Sequence, residues 1–157
     1  MKTITSDKDK AELAFWIQLY NGFVKGCNSK ECNDNKCLDI SVNTTFPRYK
    51  KDLYLNDKSF IGKKVLDLGC GPNGGLIGFT DCDKYGVDHL LDQYREIGYP
   101  LDKHGIKYFD AKSEKLPFNN DFFDVVVCVN ALDHVDSLEE TVYEISRVLK
   151  PKGSMLS

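Results

Sequence analysis

Three glycines follow a short apolar run with the spacing G-x-G-x-x-G. They are Gly69, Gly71 and Gly74, and the run before them, residues 64–68, is rich in strand-forming side chains. Glycines at the end of a strand let the backbone turn sharply and approach a ligand without interference from a Cβ atom. The spacing alone is a weak signal, because it also marks nicotinamide or flavin dinucleotide sites and arises by chance. It therefore predicts a ligand-binding loop and leaves the ligand open.

A carboxylate at the mouth of this loop narrows the choice of ligand. Asp67 stands two residues before Gly69, where the pyrophosphate of a dinucleotide would lie, and it would repel that anion. S-adenosylmethionine has no phosphate and carries an ammonium and a sulfonium, so a nearby carboxylate attracts it. We therefore predict that Asp67, Gly69, Cys70 and Gly71 bind this cofactor. The alternative is that Asp67 caps the turn and contacts no ligand.

A second carboxylate, Asp88, ends the next strand-like run, residues 85–88. An acidic residue about 20 positions after the first glycine of such a loop accepts hydrogen bonds from ribose hydroxyls. We predict that Asp88 and the adjacent His89 bind the adenosine part of the cofactor. Because a helical stretch follows, the alternative role for Asp88 is that of a helix N-cap.

Strand and helix signals alternate from residue 63 onward. Alternation of this kind predicts an α/β fold, here a three-layer, Rossmann-like, doubly wound and mostly parallel sheet. The connection over residues 75–84 leaves room for a first helix of little more than two turns. Strands are predicted at residues 64–68, 85–88, 106–109 and 123–129, and helices at residues 90–97 and 137–149.

Residues 1–62 differ in character from this alternating part. Apolar spacing over residues 11–23 predicts a helix, residues 26–43 read as a polar loop, and residues 46–60 leave a second short helix open. We predict an N-terminal helical and loop lid over residues 1–62 and a cofactor-binding core over residues 63–157. The alternative is that the N-terminal helix packs on the sheet without covering the site. The lid residues would be Trp16, Tyr20, Phe46 and Tyr49.

Five ordered motifs resemble the methyltransferase domain of the ubiquinone/menaquinone-biosynthesis type, a class I S-adenosylmethionine-dependent methyltransferase. The resemblance implies S-adenosylmethionine as cofactor and S-adenosylhomocysteine as product, with contacts at Asp67, Gly69, Gly71 and Asp88. It adds a turn at Ser113 and Glu114 near the adenine, and Asn130 at the end of the fourth strand. The motifs are VLDLGCGP at 65–72, YGVD at 85–88, SEKLPF at 113–118, FDVVV at 123–127 and RVLKPKG at 147–153.

The chain departs from this family in two places. Lys112 stands where many relatives have an acidic residue that holds the adenine amino group, so Asp110, Glu114 or the backbone around Ser113 would substitute. The family sheet has seven strands in the order 3-2-1-4-5-7-6, and residues 154–157 only begin the fifth. We therefore predict a sheet truncated at the fifth strand, whose exposed edge is explained by a shortened chain, a homo-oligomer or a partner chain.

Methyl transfer from a sulfonium is an in-line displacement, and positioning with desolvation can accomplish it without an obligatory catalytic residue. Where a proton must be removed from a hydroxyl or an acidic carbon, Asp133 and His134 after the fourth strand are the tentative catalytic pair. The alternative is that this pair caps or packs the following helix.

Charge and composition limit the partners. With 21 Lys and Arg against 24 Asp and Glu, no nucleic-acid partner is expected, and we interpret Arg48, Lys50 and Lys51 as a solvated loop. The polar N-terminus and the lack of a long apolar run predict a cytoplasmic protein without a membrane span, whose six cysteines are mostly reduced. The spacing of Cys27, Cys32 and Cys37 does not favour zinc, and no metal is predicted.

These observations predict an S-adenosylmethionine-dependent methyltransferase that acts on a small-molecule acceptor. Three alternatives stay open at this point: a non-catalytic S-adenosylmethionine-binding module, a dinucleotide-binding oxidoreductase and a zinc-organised interaction domain.

Overall fold

The computed structural model describes residues 6–157 and contains one five-stranded parallel sheet. The strand order is β3-β2-β1-β4-β5, and every neighbouring pair is parallel. The first five residues of the predicted lid segment lie outside the described residues. The strands are β1 (Lys64–Leu68), β2 (Asp83–Asp88), β3 (Lys107–Asp110), β4 (Phe123–Val127) and β5 (Leu149–Leu156). This confirms the predicted Rossmann-like α/β sheet.

Five α-helices accompany the sheet within the described residues, and both of its faces are covered. One π-helical turn, Ser41–Thr45, joins the second helix to the third without a break. None of the helices between residues 6 and 157 is long and apolar enough to cross a membrane. The helices are α1 (Asp7–Phe23), α2 (Lys30–Ile40), α3 (Phe46–Asp52), α4 (Leu91–Ile97) and α5 (Leu138–Val148).

The central strands β1 and β4 are buried on both faces, which explains why most of their residues are apolar. Leu66, Leu68 and Val126 share a cluster with Ile145 and Val148 of α5. Since side chains alternate along a strand, the odd-numbered Val65, Val125 and Val127 belong to a second cluster on the other face, together with Phe46 and Tyr49 of α3. Asp67 has the parity of Val65, so its carboxyl group points to the α3 side.

The predicted first helix after the glycine loop does not form. Residues 69–82 contain turns and no helix, and Ile77 and Phe79 donate only short-range backbone bonds to Gly74 and Leu76. The aromatic rings of α3 occupy the face of the sheet that such a helix would cover. The prediction was wrong because a distant segment competes for the same apolar surface.

Residues 26–43 were predicted as a loop, and most of them are helical instead. The hydroxyl of Ser29 caps α2 by accepting the N–H of Cys32 at 3.2 Å. One face of α2 buries Asp34, whose carboxylate pairs with Lys30 at 3.1 Å and with the distant Lys103 at 2.8 Å. These contacts stabilise a helix whose polar sequence does not indicate one.

The structure pairs Cys27 with Cys32 in a disulfide, which the sequence did not predict. The other four cysteines are free thiols, in agreement with a mostly reduced set. Within residues 6–157 no group of three or more His, Cys, Asp or Glu side chains is arranged to hold a metal ion. Cys27 and Cys32 are bonded to each other, so the structure does not support a zinc-organised domain around these cysteines.

Candidate functional site

A cavity of about 710 Å³ lies at the carboxyl ends of β1, β2 and β4 and is roofed by α1. This is where ligands bind in open α/β sheets, and the volume is typical of small-molecule sites. Most of the predicted site residues line it, whereas Asp67 and Asp133 do not. The predicted residues that line it are Gly69, Cys70, Gly71, Asp88, His89, Ser113, Glu114, Asn130 and His134.

The glycine loop forms a backbone cradle that side chains would obstruct. Gly69 has a φ of +67°, and a Cβ atom on it would lie 2.3 Å from the Cβ of Ala131. Gly71 has a φ of +56°, and a Cβ atom there would lie 3.2 Å from the ring of Trp16. Both residues need the left-handed backbone region that favours glycine. The loop can therefore present backbone to a ligand at close range.

Asp88 ties this loop to the end of β2. One carboxylate oxygen accepts the N–H of Gly71 at 3.0 Å and the other accepts the N–H of Leu90 at 2.9 Å. The residue is 6% exposed and still lines the cavity. Burial raises the pKa of Asp88, and the two backbone bonds oppose that rise. Leu90 is the N-cap residue of α4, and the Asp88 bond to its N–H holds the turn that leads into this helix.

Asp67 lies behind the wall of the cavity. Its carboxylate accepts the hydroxyl of Tyr49 at 3.2 Å, and its second oxygen is buried without a partner in the described structure. Tyr49 itself lines the cavity. Burial raises the pKa of Asp67 to about 8; the Tyr49 hydrogen bond opposes this rise and the negative charge of Asp88 adds to it. Tyr49 lies between Asp67 and the cavity, and a contact from Asp67 to the cofactor stays a prediction.

The buried carboxyl group of Asp67 predicts a stability that decreases with pH. Its pKa is about 8 in the folded protein against 3.8 ordinarily, so the folded state retains a proton that the unfolded state has released. Stability is thus full below pH 4 and falls as pH rises through about 8, by up to roughly 1.4 kcal/mol per pH unit. Urea unfolding at pH 5, 6, 7 and 8 measures this slope.

Asp67→Asn is the matched variant, since its amide oxygen can still accept the Tyr49 hydroxyl. We expect the variant to lose most of the slope between pH 6 and 8, leaving the smaller contribution of Asp88 at lower pH. An Asp67→Asn variant with the same slope between pH 6 and 8 as the wild type would show that Asp67 is ionised in the folded state.

Helix α1 closes the cavity and is anchored by polar contacts. Asp9 lies 2.9 Å from the His89 ring, and Glu12 accepts the hydroxyl of Tyr94 at 3.1 Å. The Lys8 ammonium donates to the backbone carbonyl of His134. After these anchors the helix presents Phe15, Trp16 and Leu19 to the cavity. Of the predicted lid residues, Trp16 and Tyr49 line the cavity, whereas Tyr20 and Phe46 pack behind it.

The region predicted to hold the adenine is organised around the start of α5. Glu114 accepts the backbone N–H groups of Asp136 and Ser137 at 2.6 and 3.1 Å. Lys112, the departure from the family pattern, forms an ion pair with Asp136. Asn130 adopts a φ of 53°, a left-handed conformation that asparagine tolerates better than most residues. One Glu114 oxygen is thus already engaged in holding this loop.

The side chains of the tentative catalytic pair are largely exposed. The side chains of His134 and Asp133 are 53% and 75% exposed, and the imidazole lies 3.5 Å from the carboxylate. Both belong to the short 3₁₀ turn Leu132–His134 after β4. His134 lines the cavity and Asp133 does not.

Sequence reasoning missed five charged residues that line the cavity, Lys8, Asp9, Glu12, Arg48 and Asp136. Glu12 comes from the helix predicted over residues 11–23, where only the apolar side chains were considered. Arg48 was interpreted as part of a solvated loop and instead lies on α3, facing the cavity. The signal for Arg48 was the spacing of Phe46 and Tyr49, which predicts one buried face on a short helix. Arg48 precedes the buried Tyr49 ring on that helix.

The cavity wall fits a cationic nucleoside better than a dinucleotide. Its lining includes five carboxylates, from Asp9, Glu12, Asp88, Glu114 and Asp136, against three cations, from Lys8, Arg48 and Lys112. Carboxylates favour an ammonium and a sulfonium and disfavour a pyrophosphate. The glycine cradle and the Asp88 carboxylate complete a donor and acceptor set that suits S-adenosylmethionine.

Comparisons with known proteins agree with this fit. A family model described as a methyltransferase domain matches residues 66–157. The sterol 24-C-methyltransferase ERG6B of Gibberella zeae is 36% identical over 99 residues, which cover 59% of this chain and 26% of that protein. The chain thus spans about a quarter of the length of this curated relative. The family is confirmed, and the ubiquinone/menaquinone-biosynthesis subtype stays a prediction.

Solved structures share the fold. YcgJ of Bacillus subtilis superposes with a TM-score of 0.55 at 24% identity over 71% of this chain and 48% of that one. The [4+2]-cyclase SpnF superposes with a TM-score of 0.57 at 17% identity over 98% of this chain and 60% of that one. From its family match, its sheet and the site at the ends of β1, β2 and β4, the chain belongs to the class I S-adenosylmethionine-dependent methyltransferases, whose cofactor is S-adenosylmethionine.

Proposed function

We propose that this chain binds S-adenosylmethionine in the cavity and directs its methyl group to a small-molecule acceptor. The observation that carries the proposal is that one cavity joins two different walls. The glycine loop and Asp88 form a polar wall at the strand ends, and α1 supplies an apolar wall above it. A nucleoside cofactor suits the first wall and an organic acceptor suits the second.

The residues of the polar wall would hold the cofactor as follows. Asp88 and His89 take the ribose, and the backbone of Gly69, Cys70 and Gly71 takes the amino-acid part. Asp67 acts from behind the wall through Tyr49. When bound, the cofactor supplies a methyl group on a positively charged sulfur, so the protein needs mainly to align the reactants and exclude water. The adenine side is assigned to Ser113, Glu114 and Asn130.

The apolar wall favours an acceptor with a substantial non-polar face. The apolar lining consists of side chains from α1, from the segment after β4 and from α2, among them Phe15, Trp16, Leu19, Val129 and Ile40. Burying such surface contributes about 25 cal/mol per Å² of apolar area. The similarity to a sterol methyltransferase supports a small organic acceptor of this kind.

We also propose that α1 is the closing element of the predicted 1–62 lid. None of its residues is buried, and it reaches the core through polar pairs, such as Asp9 with His89 and Glu12 with Tyr94, and through the half-buried rings of Trp16 and Tyr20. Helix α3, by contrast, is packed into the apolar core against β1 and β4. The lid would therefore open by movement of α1 while α3 stays in place.

Calorimetric titration of the chain with S-adenosylmethionine, S-adenosylhomocysteine and NAD, each separately, tests the cofactor assignment. We expect the first two to bind and NAD not to bind, because the carboxylate-rich lining repels a diphosphate. Tight binding of NAD with silence from the other two would instead support the dinucleotide-binding oxidoreductase. Acceptors with an apolar face are then screened for methyl transfer.

His134, with Asp133 beside it, is proposed to remove the acceptor proton where the acceptor needs one. His134→Ala is expected to leave S-adenosylhomocysteine affinity within about twofold, since the half-exposed imidazole lies apart from the cradle. Calorimetry of the variant measures this, and His89→Ala serves as the contrasting variant at the proposed ribose site. Lost binding in His134→Ala would assign His134 a structural role in place of the proposed one.

A further inference from the structure

We propose that Arg48 is a carboxylate-binding residue of the cavity. The carboxylate would come from the amino-acid part of the cofactor or from an acidic acceptor, and the guanidinium recognises either in the same way. The proposal deepens the proposed function and rests on it for the identity of the cofactor. It also replaces the interpretation of Arg48 as a solvated loop residue.

The position of Arg48 follows from the packing of its neighbours on α3. A Cβ atom on Gly75 would lie 2.3 Å from the Tyr49 ring, so this ring sits directly on the glycine loop. The Tyr49 hydroxyl donates to Asp67 at the end of β1. Helix α3 is thereby fixed against the loop, and Arg48, the residue before Tyr49, lines the same cavity.

The guanidinium of Arg48 has spare hydrogen-bonding capacity. Its Nε atom lies 3.7 Å from the Asp52 carboxylate, and the two side chains are 55% and 46% exposed. An exposed pair of this kind is weak, and a guanidinium carries five N–H donors. The other two cations of the lining within residues 6–157 are already engaged, Lys112 by Asp136 and Lys8 by the carbonyl of His134.

The charge pattern of the lining directs an anion to this residue. Asp9 and Glu12 on α1, and Asp88 on β2, are carboxylates that repel a second one. Arg48 is the cation of the lining that does not already hold an acceptor at hydrogen-bonding distance in the described structure. A ligand with one carboxylate would therefore turn that group toward α3 and its uncharged part toward the rest of the wall.

The test uses two pairs of probes that differ in a carboxylate, with Trp16 fluorescence as the readout. Trp16 is the only tryptophan of the chain and lines the cavity. The first pair is S-adenosylhomocysteine and 5′-methylthioadenosine, which lacks the amino-acid part with its carboxylate and its ammonium. The second pair is octanoate and octanol. Each probe is titrated into the wild type, Arg48→Gln and the control Lys51→Gln, whose exposed lysine lies on the same helix outside the lining.

We expect Arg48→Gln to weaken one carboxylate probe about tenfold or more while changing its carboxylate-free partner less than twofold. Loss confined to S-adenosylhomocysteine assigns Arg48 to the cofactor, and loss confined to octanoate assigns it to the acceptor. Lys51→Gln should match the wild type. The proposal is overturned if Arg48→Gln changes both members of each pair equally, or if the wild type binds neither carboxylate.

A failure of the proposed cofactor function looks different from a failure of the Arg48 proposal. If the wild type binds neither S-adenosylhomocysteine nor 5′-methylthioadenosine, the cofactor assignment fails. The octanoate and octanol pair then decides the Arg48 proposal by itself. Circular dichroism of the two variants checks that α3 is retained in both.

Discussion

Asp88→Ala is expected to weaken S-adenosylhomocysteine binding by about 2–4 kcal/mol, or roughly 30- to 1,000-fold. The proposed charge-assisted bonds to the ribose disappear, and the Gly71 N–H loses the acceptor that holds the glycine loop against β2. The ribose acceptor and the loop anchor are the same side chain. Calorimetric titration at pH 7.5 measures the change in affinity.

The same substitution also affects folding, so stability must be measured beside affinity. It leaves the buried N–H groups of Gly71 and Leu90 without their acceptor, at a cost of about 1–3 kcal/mol each. Removal of a carboxylate whose pKa is raised by burial offsets part of that cost. Thermal unfolding of the cofactor-free protein separates this loss from the loss of the ribose contact.

Asp88→Asn supplies the variant that retains shape and one acceptor oxygen. We expect it to stay folded and still to lose about tenfold in S-adenosylhomocysteine affinity. Asp92→Asn, at an exposed carboxylate paired with Arg95 on α4, is the surface control and should match the wild type. Unchanged affinity in a folded Asp88→Asn would remove Asp88 from the cofactor site.

Much of the sheet was predictable because its signals are local. Residues 125–127 are three consecutive valines, as a strand buried on both faces favours, and α5 begins directly after the Ser137 cap. The order of motifs placed the glycine loop and Asp88 at the same edge of the sheet. Because the carboxyl ends of parallel strands lie at one edge of the sheet, residues that follow β1, β2 and β4 meet in the cavity.

Features that depend on contacts between distant segments could not be predicted. Helix α2 is stabilised by the pairing of Asp34 with Lys103, and no pattern within its polar sequence indicates this contact. The missing helix after the glycine loop has the same kind of cause. Leu76 and Phe79 are compatible with either a turn or a helix, and the rings of α3 decide between them by occupying the adjoining face of the sheet.

The position of Asp67 combines a predictable part with an unpredictable one. Strand alternation assigns Asp67 to the face of Val65, away from Leu66 and Leu68. The cover of that face depends on how α3 packs. The Tyr49 side chain buries Asp67, which is 1% exposed. The Tyr49 hydroxyl therefore lies between the Asp67 carboxylate and the cavity, where the sequence predicted a direct contact with the cofactor.

Gly78→Ala tests directly whether α3 serves as the cover of this face. A Cβ atom at Gly78 would lie 2.2 Å from the Phe46 ring, which is 8% exposed and packs edge-on against Phe79. The ring cannot give way without disturbing the core, so we expect the free energy of unfolding to fall by about 2–4 kcal/mol. Urea denaturation measures this change. Gly22→Ala is the matched control, because it adds the same methyl group inside α1 with no atom within 4 Å.

The control should be neutral or more stable by up to about 1 kcal/mol, since alanine favours a helix over glycine. Shortening the opposing ring in Gly78→Ala/Phe46→Leu should recover part of the loss, giving a coupling of about 1 kcal/mol or more between the two sites. The single substitution should also weaken S-adenosylhomocysteine binding, because displaced rings shift Tyr49 and Arg48 at the cavity wall. If Gly78→Ala unfolds like the wild type, α3 does not pack on the loop, and the cofactor site is built without it.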